Sequence, residues 1–157
     1  MSDKIYQQGL AKKRLSAGAL FLDEMGRVLL VEPVYKRNWE IPGGVVELGE
    51  SPRQACVREV REELGLARPF TRLLVVDYIA ESAEKVEGLA FIFDGGVLAA
   101  EIAQIRLPVD ELQGLAFVDV GAVDGRLNSR LAARVRMAVE ARALGQTFYL
   151  ENQSLIG

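Results

Sequence analysis

Three glutamates within one turn of a helix, Glu59, Glu62 and Glu63, are the residues most able to do chemistry in this chain. Successive helical residues turn by about 100°, so these three share one side of a helix that carries Val57, Val60 and Leu64 on the other. Glu59 and Glu63 are a like-charge pair four residues apart, which costs an isolated helix about 0.2–0.5 kcal/mol. Arg58 alone is well placed to offset Glu62. A solvated charged face is the ordinary explanation for such a run, but a cluster that repels itself is better explained by a bound cation. Oxygen ligands without histidine or thiolate favour Mg²⁺, or Mn²⁺ as a substitute, over zinc. Mg²⁺ is commonly shared between a few carboxylates and substrate phosphates, and the Pro42-Gly43-Gly44 turn upstream can bring backbone groups to the same place. Geometry reaches a metal with a phosphorylated ligand and stops there.

Composition narrows the alternatives. The chain has 157 residues with no histidine and one cysteine, so Ser-His and Cys-His nucleophile pairs, His-ligated metals, intramolecular disulfides and Cys-rich zinc sites are all excluded. Nineteen Lys and Arg against 22 Asp and Glu give a net charge of −3, which argues against nucleic acid as a partner held by bulk charge. A small phosphorylated nucleotide remains compatible, since a cation can carry its charge. The first apolar stretch, Ala17 to Leu22, is too short for a signal-peptide core or a membrane span. A cytoplasmic protein with no membrane partner is expected.

The elements that must position the glutamates can be read next. Ala17 to Leu22 and Arg27 to Val31, separated by Asp23-Glu24-Met25-Gly26, read as a hairpin, and Pro33 ends the second strand. Trp39-Glu40-Ile41 is a short extended piece. Ser51 is a good N-cap, Pro52 suits the first helical position, and Gln54 completes a capping box, so a helix runs from Ser51 to about Leu64 with Gly65 as its stop. Phe70 to Ile79, Leu89 to Phe93, Ile102 to Leu107 and Ala116-Phe117-Val118 are strand candidates. Asp94-Gly95-Gly96 reads as a strand-ending turn. Leu127 to Leu144 has helical period, with Leu131, Val135, Ala138 and Val139 on one face. Arg126, Arg130 and Arg134 form a basic stripe on it, read as a solvated face. With no repeat or linker, residues 1–157 read as one α/β domain, a mixed sheet packed between helices.

Gly44, five residues, Glu50, seven residues, then Arg58-Glu59-Val60-Arg61-Glu62-Glu63-Leu64-Gly65-Leu66 reproduces every specified position of the Nudix box. The chain therefore resembles the Nudix hydrolase family. Ala17 to Val31 looks like that family's opening hairpin, Trp39 to Gly44 like its lead-in, and Leu127 to Leu144 like its C-terminal helix. The resemblance implies an α/β/α sandwich and a Mg²⁺-dependent pyrophosphohydrolase acting on a nucleoside diphosphate linked to another group.

Carried over residue by residue, it makes Glu59 and Glu63 the principal metal ligands, Glu62 a further or water-mediated one, and the Gly43 carbonyl a companion. Arg58 orients the carboxylates and Glu50 ties the loop to the helix. The general base falls to Glu62 or Glu111, the latter resembling a recurrent glutamate that precedes an aromatic-Val strand. The competing class, a non-catalytic domain that senses a nucleotide metabolite, is expected to have lost a box carboxylate, and none is lost here.

Other residues read as structural. Cys56 is expected to be a packed, inert thiol, which also disfavours the prenyl diphosphate isomerases. Trp39 is expected to be a packing anchor ahead of a base-stacking ring, and Tyr35, Lys36 and Arg37 a solvated loop. The tail from Thr147 to Gly157 is a short strand or a subunit contact, which leaves a homodimer open. The stretch from Ala67 to Gly88 lacks the proline typical of ADP-ribose hydrolases and the Pro-Trp-Pro-Phe-Pro type of array of NADH-directed members, so substrate-binding residues are not assigned.

Overall fold

The computed structural model describes residues 3–156; Met1, Ser2 and Gly157, which close the two termini in the sequence reading, lie outside the described residues. A short helix α1 (Asp3–Gln8) precedes β1 (Arg14–Leu22), β2 (Val28–Pro33), β3 (Gly43–Val45), α2 (Pro52–Leu64), β4 (Leu73–Ile79), β5 (Gly88–Val97), β6 (Leu112–Val118), α3 (Ser129–Leu144), β7 (Phe148–Glu151) and β8 (Ser154–Leu155). The strands form one sheet in the order β6-β2-β1-β5-β4-β7-β8, with β3 paired to β1. The β1–β5 and β4–β7 pairs are parallel and the others antiparallel. The expected mixed sheet between helices is what the chain builds.

The alternation of a strand sends successive side chains to opposite faces, and both faces here are covered. Leu20, Leu22, Val28 and Leu30 join Val135, Ala138 and Ala141 of α3 in one buried cluster. Ala19, Phe21, Leu29 and Val31 join Ala55, Cys56, Val60 and Leu64 of α2 in the other. The helix α2 begins as the sequence indicates: the Ser51 side chain accepts from the Gln54 amide at 3.1 Å, and the Gln54 side chain accepts from the Ser51 amide at 2.8 Å. Gly65 closes it in the left-handed conformation at φ 72°, which a residue with a Cβ adopts at a cost.

Several expectations are corrected. Ile102 to Leu107 is not a strand: residues 100–104 form a 3₁₀ turn, and Ile105 and Leu107 pack as loop residues against the α2-side cluster. Asp94-Gly95-Gly96 does not end a strand, because β5 runs on to Val97. The register there moves from Leu20 opposite Asp94 to Phe21 opposite Gly96, so Gly95 is the extra residue of a bulge. A Cβ on Gly95 would lie 2.5 Å from the Phe21 ring, so the absent side chain lets that ring in. Arg126 precedes α3, whose N-cap is Asn128, accepting from the Leu131 amide at 2.9 Å. The supposed basic stripe is also not a solvated face throughout, since Arg134 reaches a buried partner.

That partner is Asp77 on β4, fully buried among the strands. One carboxylate oxygen accepts from Arg134 Nε at 2.8 Å and from Gln153 Nε2 at 3.1 Å, and the other accepts from the Gln153 amide at 3.0 Å. Asn152 and Gln153, both at positive φ, make the turn between β7 and β8, so the tail is a hairpin pinned to β4 by this carboxylate. Removing one member of a buried charge pair costs about 3–5 kcal/mol, because the other is left unpaired. Asp77→Ala is therefore expected to lower stability by about 3 kcal/mol, read as a drop in the urea midpoint at unchanged slope. A loss well below about 1 kcal/mol, the scale of an exposed pair, would show that water replaces the carboxylate around Arg134.

Candidate active site

The box glutamates are positioned by α2, the β3 strand beneath it, and the loop that joins them. Arg58 is the organiser. Its guanidinium grips Glu50 with two bonds, Nε to Oε2 at 2.7 Å and Nη2 to Oε1 at 2.9 Å, in the fork geometry that suits a carboxylate. Nη2 also donates to the Val45 carbonyl at 3.2 Å, and Nη1 donates to Glu59 Oε1 at 2.7 Å and to Glu62 Oε2 at 3.4 Å. The Glu47 carboxylate stands 3.8 Å away. Glu50 in turn accepts from the Glu47 amide at 3.1 Å. The Arg58 guanidinium, first, and this amide hold the Glu50 carboxyl at about 2, below the usual carboxylate range. Arg58 itself is pushed upward, chiefly by its bond to Glu50. The loop-to-helix role assigned to Glu50 and the orienting role of Arg58 thus have a matching geometry.

Glu63 is different in kind. It is one of the few buried charged residues, 8 % exposed, and it faces Glu59. Burial first, then the hydrogen bond with Glu59 and that group's charge, push its carboxyl well above the usual range; the Gly43 amide beside it pulls the other way. In the metal-free protein Glu63 is expected to keep its proton at neutral pH. Space for this pair is made by glycine. A Cβ on Gly44 would lie 2.5 Å from Glu59 Oε1, and a Cβ on Gly43, at φ 153°, would lie 2.4 Å from the Ala17 carbonyl oxygen. Both positions need a bare α-carbon, one for the carboxylate and one for the close approach of β3 to β1.

Glu62 is drawn outward toward Arg58 and its side chain is 55 % exposed. Among the described residues, no three carboxylate, thiolate or imidazole side chains converge as a closed metal cage. What converges is one carboxylate pair, Glu63 buried and Glu59 half-buried, lined by glycine backbone. This open donor set fits Mg²⁺, which completes its shell from water and phosphate oxygens.

Glu111 lies on the exposed turn leading into β6 and is linked to the lead-in of the box: its carbonyl accepts from the Val34 amide at 2.9 Å. Tyr35, on the loop after β2, is in electrostatic range of both Glu63 and Glu111. Its phenol is raised above the usual tyrosine range by partial desolvation first, then by Glu40, with Glu63 and Glu111 also contributing. Glu40, which sequence reasoning did not single out, bears on Glu63 as well and pairs with Lys36. Only the Lys36–Glu40 spacing could have hinted at this, and on a loop that spacing carries no rule.

Cys56 is fully buried against the α2-side core, and burial pushes its thiol up to about 12, the inert state expected. Trp39 packs against the α3-side cluster with the Arg126 guanidinium 4.4 Å from its ring centroid. It is a packing anchor.

Among the described residues, no helix is long and apolar enough to cross a membrane. Comparison with known proteins brings the same site forward. The chain is 38% identical over 61 residues to an RNA pyrophosphohydrolase of Photorhabdus laumondii, covering 39% of this chain and 35% of that protein. It is 36% identical over 80 residues to the CTP pyrophosphohydrolase of Escherichia coli K12, covering 48% and 56%. The chain thus spans between a third and somewhat over half the length of these curated relatives. A MutT NUDIX hydrolase from Burkholderia pseudomallei superposes with a TM-score of 0.62 at 26% identity, covering 83% of this chain and 98% of that structure. The family model of the NUDIX domain matches residues 12–136, a span that holds the whole carboxylate site and both sheet-flanking cores up to α3. The chain belongs to the Nudix family.

Proposed function

We propose that this domain, spanning residues 1–157, is a Mg²⁺-dependent pyrophosphohydrolase of the cytoplasm. It would cleave a nucleoside diphosphate linked to another group, by attack of water on phosphorus. The observation that carries this reading is the buried Glu63 carboxylate held against Glu59 beside two glycines, since a pair that repels itself in a dry place calls for a cation. Glu59 and Glu63 would hold Mg²⁺, with the Gly43 carbonyl and, directly or through water, Glu62. When bound, the ion supplies charge neutralisation for the pyrophosphate and a more acidic water.

The protein's own residues do the rest. Arg58 fixes the Glu59 carboxylate, and Glu50 fixes Arg58 to the loop. Gly44 leaves room for Glu59. Glu111 or Glu62 takes the proton from the attacking water. A relative named for CTP supports trying nucleoside triphosphates first, ahead of nucleotide sugars.

A phosphate-release screen over nucleoside triphosphates and nucleotide sugars tests this, with products identified by mass. Turnover is expected with Mg²⁺, or with Mn²⁺ in its place, and should vanish in EDTA. The carboxylates would repel a bare pyrophosphate, so binding beside them calls for a cation between the two. Full turnover in metal-free buffer would overturn the reading.

A further inference from the structure

The loop between β2 and Ile41 carries two aromatic rings with opposite fates. Trp39 is packed and covered by Arg126. Tyr35 is 71% exposed, although the loop around it is fixed at both ends. On one side the Val34 amide bonds the Glu111 carbonyl at 2.9 Å. On the other, the Glu40 amide bonds the Val31 carbonyl at 3.0 Å and the Val31 amide bonds the Glu40 carbonyl at 2.8 Å. Three residues later the chain reaches Gly43, beside Glu63. The loop that carries the ring is thus tied to the Glu111 turn at one end and leads into the glycine turn of the carboxylate site at the other. Lys36 adds a cation 5.9 Å from the ring centroid and is itself steadied by Glu40. Val34 and Val109, on the two strands of chain that meet there, are exposed as well.

An anchored loop that presents an aromatic face, an adjacent cation and flanking apolar groups beside a phosphate-directed site has the chemistry of a nucleobase subsite. We propose that Tyr35 is the platform on which the base of the substrate stacks, with Lys36 beside it toward the phosphates; this rests on the nucleotide reading above. Every base has a π face, so the platform binds nucleotides with little discrimination between bases.

The test is calorimetric binding of CTP, ATP and inorganic tripolyphosphate to the full chain with Mg²⁺, beside mass detection of nucleoside monophosphate and pyrophosphate in the same samples. Removing a stacked ring weakens binding by about 5–150-fold. Tyr35→Ala is expected to lose that factor for CTP and ATP alike while tripolyphosphate binding is unchanged, and Tyr35→Phe, which keeps the ring, is expected to retain parent affinity. Parent affinity of Tyr35→Ala for both nucleotides, or an equal loss for tripolyphosphate, would overturn the platform. A parent protein that binds tripolyphosphate as tightly as the nucleotides would overturn it too, even while nucleotide hydrolysis upholds the hydrolase reading. Binding with the expected pattern but no hydrolysis of either nucleotide would instead keep the platform and sink the hydrolase.

Discussion

Glu63→Gln is expected to abolish nearly all turnover while leaving the metal-free protein as stable as the parent, or more so. The two effects have one cause. Glu63 is buried against Glu59, so its ionised form is disfavoured in the folded protein. A carboxyl whose folded pKa is raised binds more protons in the native than in the unfolded state, and stability then falls as pH rises. The decline begins near 4.5, the ordinary value for a glutamate, and continues up through the raised folded value. Gln cannot ionise and escapes the decline. Metal-free parent and variant should therefore melt alike at acid pH and diverge in the variant's favour as pH rises. Mg²⁺ should reverse the order, since a ligand that binds only the folded state raises the melting temperature and the variant has lost half of the carboxylate pair. Equal Mg²⁺ shifts in the two proteins, with activity kept, would return Glu63 to an ordinary charged face.

Glu111→Gln is expected to lower kcat by about 10²–10⁴-fold, the contribution of a general base, with little change in KM, because the proton transfer is made only in the transition state. The structure gives a reason to separate the two candidates. Glu62 is drawn toward Arg58 at 3.4 Å, on the outer side of α2. Glu111 stands on a free turn tied to the Tyr35 loop only through its carbonyl, leaving its carboxylate unengaged by the box. If Glu111→Gln keeps its kcat and Glu62→Gln loses that factor, the base lies inside the box.

What the sequence made legible follows from how local each feature is. The start and stop of α2 rest on Ser51, Gln54 and Gly65, all acting within one turn, and each forms the expected bond. The grouping of Glu59 with Glu63 follows from helical period alone. The need for a bare α-carbon at Gly44 does not, because it depends on a contact between residues on different elements. Glu40 was invisible for the same reason: it approaches Glu63 only once the β2–β3 loop has folded over.

The misread segments also have physical causes. Residues 3–8 are helical with no buried residue, so no apolar period could mark them. The apolar residues from Ile102 to Leu107 resemble a strand in pattern, yet they cap the α2-side core from a loop. Asp94-Gly95-Gly96 has turn composition, but the need here is for space beside Phe21 within a continuous strand. The basic stripe failed on its most buried member, since Arg134 finds Asp77 across the sheet.

The alternation along β1 has a thermodynamic consequence. Ala19 and Phe21 pack under α2, while Leu20 and Leu22, their immediate neighbours, pack under α3. The two layers therefore share a backbone that cannot release one set of side chains and keep the other. Melting of either layer removes the wall of both, which couples them into a single cooperative unit. Damage on the face remote from the glutamates, such as loss of the Asp77 pair, should then lower the temperature at which catalysis fails without altering its rate below that point. Heat inactivation would report on the whole molecule rather than on the site.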